Sequence, residues 1–348
     1  MNVRRLIPTA AVAGAVVLGL TGLSACSSSD AADRENGDKL NVVTSFYPMQ
    51  FLAEEIGGDH VSVESLTRPG VEPHDLELTP RQIGGLGEAD YILYLKGIQP
   101  AVDDAVTQAG VENTVDAATL TTLEKHGSEV GHEEEHPEEE HAEEEHPGEK
   151  HAGEKHAEEE HAAQEGDEHA HEGEGGTDPH IWLDPVKYAE VAKGVGKSLE
   201  KADPDHAADY ARNTDALVGK LGALDTAFET GLKDTATKTF ITTHSAFGYL
   251  AERYGLVQEG IAGIDPEAEP SPARLQEIHT VAKENKATTV FFETLTSDRT
   301  AKTVAEDTGL KTDVLDPLEG ITERSKGADY IKVMESNLTA LQKALGAK

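Results

Sequence analysis

The feature that most constrains how this chain can fold is a stretch it cannot pack. From His126 to Asp178 there is almost no large apolar side chain, and histidine recurs every fifth position among glutamates, as in HPEEEHAEEEHPGEKHAGEKH (136–156). Such a segment buries too little surface to offset its ordering entropy, so it is expected to be a disordered insertion. Any core must come from the residues on either side. The segment carries 21 acidic residues against two lysines, a balance of −19, and leaves −17 of the formal charge of −36 for the rest of the 348 residues. A chain this acidic repels nucleic-acid phosphates and attracts cations.

Outside the insertion, apolar runs alternate with amphipathic ones. LNVVTSF (40–46), VSVESL (61–66), ADYILYL (89–95) and NTVDA (113–117) read as strands, with a helix from Met49 to Ile56. A second series follows: KTFITTH (238–244), a helix to Tyr254, ATTVFFET (287–294), a helix from Thr300 to Thr308, KTDVLD (311–316) and a helix from Tyr330 to Leu345. Strands that alternate with helices predict parallel sheets, hence an α/β chain of two βα lobes. Between the series, Tyr210, Thr214, Leu217, Leu221, Leu224 and Phe228 form one stripe at spacings of three and four, which predicts a single long helix after Pro204.

The N-terminus reads differently. Arg4 and Arg5 precede an apolar run, Ala10 to Leu20, too short to span a bilayer comfortably, and Leu23-Ser24-Ala25-Cys26 follows. These four residues resemble the lipobox of bacterial lipoproteins, which implies cleavage before Cys26 and diacylation of its sulfur. Cys26 is the only cysteine, so no internal disulfide is available. Residues 27–39 are polar and aperiodic, a tether with a reach of about 20 Å. The expected organisation is a signal peptide (1–26), a tether (27–39), a first lobe (40–203) interrupted at 126–178, a linker helix (204–234) and a second lobe (235–348), held to the extracytoplasmic face of a membrane.

Imidazole and carboxylate are competent zinc ligands. In the insertion a spacing of five turns a helix by about 140° per step, so its histidines share no face and form no single preorganised site. His132, His136, His141, His146, His151, His156, His161, His169 and His171 are therefore expected to bind zinc weakly, as an accessory that gathers or senses it. His132-Glu-Glu-Glu-His136 matches the spacing of zinc hydrolases, but Pro137 and the glutamates around it deny it a buried helix. Gly196-Lys197-Ser198 ends like a phosphate-binding loop, yet Val191 replaces the first glycine and no strand precedes it.

Three histidines have more promising settings: His74 in GVEPHDLELTP (70–80), His180 in TDPHIWLDP (177–185) and His244 in ITTHSAFGYLAERYGL (241–256). Loops beyond the carboxyl ends of parallel strands are where α/β folds place ligands. His60, His206 and His279 lack such a setting and read as surface or packing residues.

GVEPHDLELTP, DPHIWLDP, TTHSAFGYLAERYGL and VLDPLEG resemble, in order, the four metal-ligand segments of the zinc- and manganese-specific solute-binding proteins of ABC transporters (cluster A-I). The resemblance spans about residues 40 to 348 apart from the insertion. It implies two lobes with parallel sheets joined by one long rigid helix, and a metal site in the interlobe cleft. The ligands it implies are His74, His180, His244 and Asp316, with Glu293 of FFETL as a competing acidic candidate that the family more often uses structurally.

Two family features are missing. Gly97-Ile98-Gln99-Pro100-Ala101 stands where many members carry Glu-x-Trp, and the cysteine pair of some zinc-uptake members is absent. Three imidazoles and one carboxylate suit Zn²⁺, and manganese binders of the family usually carry glutamate where His244 stands. The implied function is a monomeric, lipid-anchored receptor that passes Zn²⁺ to an ABC permease and catalyses nothing. Affinity should fall as histidines protonate below about pH 6.5. Two alternatives remain at this level: a manganese receptor, and a zinc hydrolase with Glu293 as general base.

Overall fold

The computed structural model describes residues 39–126 and 177–348. The expected signal peptide, Cys26, most of the expected tether and the nine histidines from His132 to His171 lie outside the described residues. The first sheet holds β1 (Leu40–Thr44), β2 (Val61–Ser65), β3 (Tyr91–Tyr94) and β4 (Thr114–Asp116) in the order β2-β1-β3-β4. All its pairings are parallel, with Val42 opposite both Val63 and Tyr91. Helices α1 (Tyr47–Gly57), α2 (Pro80–Gly87) and α3 (Pro100–Ala109) connect these strands.

The second sheet repeats the plan. Strands β5 (Thr239–Thr242), β6 (Val257–Gly260), β7 (Thr289–Phe292) and β8 (Lys311–Val314) lie in the order β6-β5-β7-β8, again all parallel. Helices α6 (Gly248–Arg253), α7 (Pro272–Glu284), α8 (Arg299–Thr308) and α9 (Tyr330–Leu345) belong to this half. Strand order reverses between β1 and β3 and between β5 and β7. Each reversal opens a crevice at the carboxyl ends of the strands, where ligands bind in such sheets.

Between the halves stand two helices, α4 (Pro185–Ala202) and α5 (Ala207–Leu232), joined by a short turn. The six positions of the sequence stripe on α5 are all buried. α4 was not expected from the sequence, because its glycines and lysines blur its periodicity. Gly196 is there for a steric reason: a Cβ on it would stand 2.2 Å from Thr214 Oγ1 of α5. Asp184 caps α4 by accepting the Val186 N–H at 2.8 Å, with Pro185 in the first turn. Helices α2, α3 and α7 were also missed. α2 opens with a capping box, in which Thr79 and Gln82 satisfy each other's backbone N–H groups, inside what reads as a Pro/Gly-rich loop.

Each sheet has its own small apolar cluster on one face, around Leu86 and Ile92 in the first half and around Ile278 and Val290 in the second. The main core is continuous across both halves and includes Phe46, Phe51, Trp182, Tyr188, Leu221, Phe247 and Tyr330. Trp182 Nε1 donates to Pro317 O at 2.7 Å, and the Tyr330 hydroxyl donates to Trp182 O. α5 packs against α1 on one side and α9 on the other. The halves therefore share a core rather than facing each other across an open hinge.

Candidate metal centre

His74 follows β2, His180 immediately precedes the turn into α4, and His244 follows β5. The structure brings all three together, with ring centroids 5.6–6.3 Å apart. The fourth member of the group is Glu319, in the loop after β8. Its Oε1 lies 3.3 Å from His180 Nε2, 3.3 Å from His244 Nε2 and 3.5 Å from His74 Nε2. Three imidazoles converging on one oxygen at these distances are too far apart for strong hydrogen bonds. The spacing instead suits a tetrahedral zinc ion, whose ligands at about 2.0–2.1 Å lie about 3.3–3.4 Å from one another. His180 Nε2, His244 Nε2 and Glu319 Oε2 are buried and have no hydrogen-bond partner.

Asp316, which the sequence reading placed in this group, is not part of it. Its Oδ1 accepts the Leu318 N–H at 2.9 Å and its Oδ2 accepts the Thr294 hydroxyl at 3.1 Å. Its own N–H goes to Asn337 Oδ1 at 3.0 Å. Those bonds hold a sharp turn in which Leu318 adopts φ +59°, a left-handed conformation that non-glycine residues rarely take. The turn delivers Glu319 to the histidines. The sequence contains Glu319 within VLDPLEG, but nothing in one-dimensional spacing says which of its two carboxylates turns the chain and which faces the cleft.

Two of the three remaining ring nitrogens are also held. His180 Nδ1 pairs with Asp178 Oδ1 at 2.7 Å, and the same oxygen accepts the His180 N–H at 3.0 Å. His244 Nδ1 pairs with Glu293 Oε1 at 2.9 Å, and the Thr243 hydroxyl donates to that oxygen at 2.8 Å. A carboxylate behind a histidine fixes its tautomer and points Nε2 at the metal. Glu293 thus takes the structural role rather than that of a ligand or a base facing the cavity. His74 is oriented through its backbone, whose N–H donates to Glu72 Oε2 at 3.0 Å.

Electrostatics agree with a cation site. Burial alone would lower the pKa of His244, but Glu293 and Glu319 outweigh it and raise the value well above the ordinary imidazole range. His180 is likewise raised, with Asp178 and Glu319 outweighing desolvation. For Glu319, burial opposes ionisation, and the three imidazoles overcome it to hold the carboxyl well below its usual range. All three shifts favour positive charge on the imidazoles beside an ionised Glu319.

The family description "ZnuA: Zinc-uptake complex component A periplasmic" matches residues 42–344. The high-affinity zinc uptake system protein ZnuA of Bacillus subtilis is 37% identical over 334 residues, 94% of each chain. The zinc-binding lipoprotein AdcA of Streptococcus pneumoniae is 35% identical, covering 92% of this chain and 58% of that longer protein. The Zn(II)-bound ZnuA-like domain of Streptococcus pneumoniae AdcA superposes with a TM-score of 0.66 at 32% identity, over 88% of this chain and 99% of that one. With three histidines and a glutamate gathered in one buried pocket, and this similarity along nearly the whole described chain, the protein belongs to the ZnuA family of zinc-uptake components.

Proposed function

We propose that this chain is an extracytoplasmic receptor that captures Zn²⁺ in the His74–His180–His244–Glu319 pocket and delivers it to an ABC permease. The observation that carries the reading is the convergence of three Nε2 atoms on Glu319 Oε1 at 3.3–3.5 Å. An N₃O ligand set favours zinc over manganese, which prefers more oxygen. The protein is a receptor and not an enzyme: it changes nothing on its cargo. Cys26 supplies the lipid anchor, the protein acts as a monomer, and the histidines from His132 to His171 are an accessory that gathers or senses zinc. Among the described residues no helix is long and apolar enough to cross a membrane.

The test is a competition titration of Zn²⁺ and Mn²⁺ against a chromophoric chelator, in the mature protein and in a variant lacking residues 127–176. One tight zinc equivalent that survives the deletion, resists excess manganese and disappears in His244→Ala supports the reading. Tight binding that vanishes with the deleted segment would overturn it.

A further inference from the structure

The geometry points to a second divalent-cation site, built from Glu124, His126 and Glu252 and distinct from the buried pocket. Each of these residues offers a ligand atom, and the three atoms lie within 4.8 Å of one another. His126 is the last described residue before the acidic His-rich run, and Glu252 lies on α6 of the second half. In the sequence His126 stands at the edge of the insertion. The structure shows it docked on the folded domain.

The cradle is tightly built. The Asp178 N–H donates to Glu124 O at 2.7 Å, which ties the two ends of the insertion together. The Glu124 N–H donates to Tyr249 Oη at 2.8 Å, and Tyr249 Oη donates to Asp178 O at 2.7 Å. The His126 ring lies edge-on to Tyr249 with centroids 4.5 Å apart. This approach requires glycine at 248, where a Cβ would stand 2.3 Å from His126 Cβ.

His126 is also poised as a ligand. Its Nδ1 pairs with Asp178 Oδ2 at 3.1 Å, leaving Nε2 directed at Glu252 Oε2, 2.8 Å away. The fully buried Asp178 thus backs His126 with one oxygen and His180 with the other. A carboxylate behind the distal ring nitrogen is the usual partner of a metal-bound histidine. Glu124 is steered by Lys187, whose ammonium lies 2.6 Å from its Oε1. A cation between Glu124 and Glu252 would offset the repulsion of two carboxylates, only one of which has a lysine beside it, whose oxygens lie within 4.8 Å of each other and of the imidazole. The ligand set, one nitrogen and two carboxylates, takes a first-row divalent cation of the zinc class. Glu252 has a side chain 60% exposed, so this position is open to solvent and exchanges its cation more readily than the buried pocket. It is placed to receive zinc beside the foot of the His-rich run and shares Asp178 with the inner site.

Zinc-edge anomalous diffraction from crystals of the mature protein in excess Zn²⁺ tests this, with Glu252→Gln and Glu124→Gln alongside. The expected result is two peaks, the outer one at about 2.0–2.2 Å from His126 Nε2 and a Glu252 oxygen. Each variant should lose the outer peak, or weaken zinc binding there by at least about tenfold, while the inner peak persists. A filled inner site beside an empty outer one would mean that His126 is merely an ion-paired imidazole, and the proposal fails. An outer peak unchanged in both variants defeats it too. An empty inner site would count against the receptor reading, so the two failures are distinguishable.

Discussion

At the scale of single residues, Asp316 and Glu319 carry opposite burdens although they stand three positions apart. Glu319 closes the histidine cluster, whereas Asp316 spends its carboxylate on the Leu318 N–H and the Thr294 hydroxyl. Glu319→Gln should weaken zinc binding more than about a hundredfold, because even partners behind metal ligands are worth about 10–100-fold. Asp316→Asn, which keeps the acceptor for Leu318, should cost less than about tenfold; chelator competition on both variants would reveal the reverse order if Asp316 were the ligand. Glu293 raises the His244 pKa, and zinc must displace that proton to bind. The sign follows: below the raised pKa a proton occupies the ring, so affinity declines as pH falls through that range. Glu293→Gln removes one of the two carboxylates that hold the proton. Its loss of affinity on acidification should begin at lower pH, while affinity at neutral pH drops about 10–100-fold. Zinc titrations between pH 5 and pH 8 would read both effects.

Among the elements, the pair α4 and α5 decides how the two sheets are held. The α5 stripe is plain in the sequence because long apolar side chains recur at three and four. α4 is obscured because its contact face contains Gly194 and Gly196, chosen for closeness to Leu120 and Thr214 rather than for apolarity. Gly196→Ala gains helix propensity but drives a Cβ into Thr214, so it should destabilise the fold by about 1–3 kcal/mol. Adding Thr214→Ala should restore much of that loss. Urea unfolding of the two single variants and the double variant would measure the coupling, and additive effects would show that the contact is not the cause.

For the whole molecule, one apolar core runs through both halves, and Trp182 is bonded to Pro317 and Tyr330 across it. Opening the cleft widely would break that packing. Zinc capture should therefore change the radius of gyration by less than about 1 Å, the scale of pre-organised complexes, with movement confined to the loops bearing His74 and Glu319. Small-angle scattering of the metal-free and zinc-loaded protein would show a larger contraction if the halves closed as on a hinge.

Much of this arrangement was legible in one dimension. The βα alternation, the α5 stripe and the three histidines in their loops all rest on local patterns, since propensity and periodicity act over a few residues. What the chain order could not convey was which carboxylate faces the cleft, that Glu293 and Asp178 stand behind the imidazoles, and that His126 leaves the insertion to meet Glu252, 126 positions later. Those facts depend on loops from both sheets meeting at one point. A left-handed turn at Leu318 and a missing Cβ at Gly248 decide them.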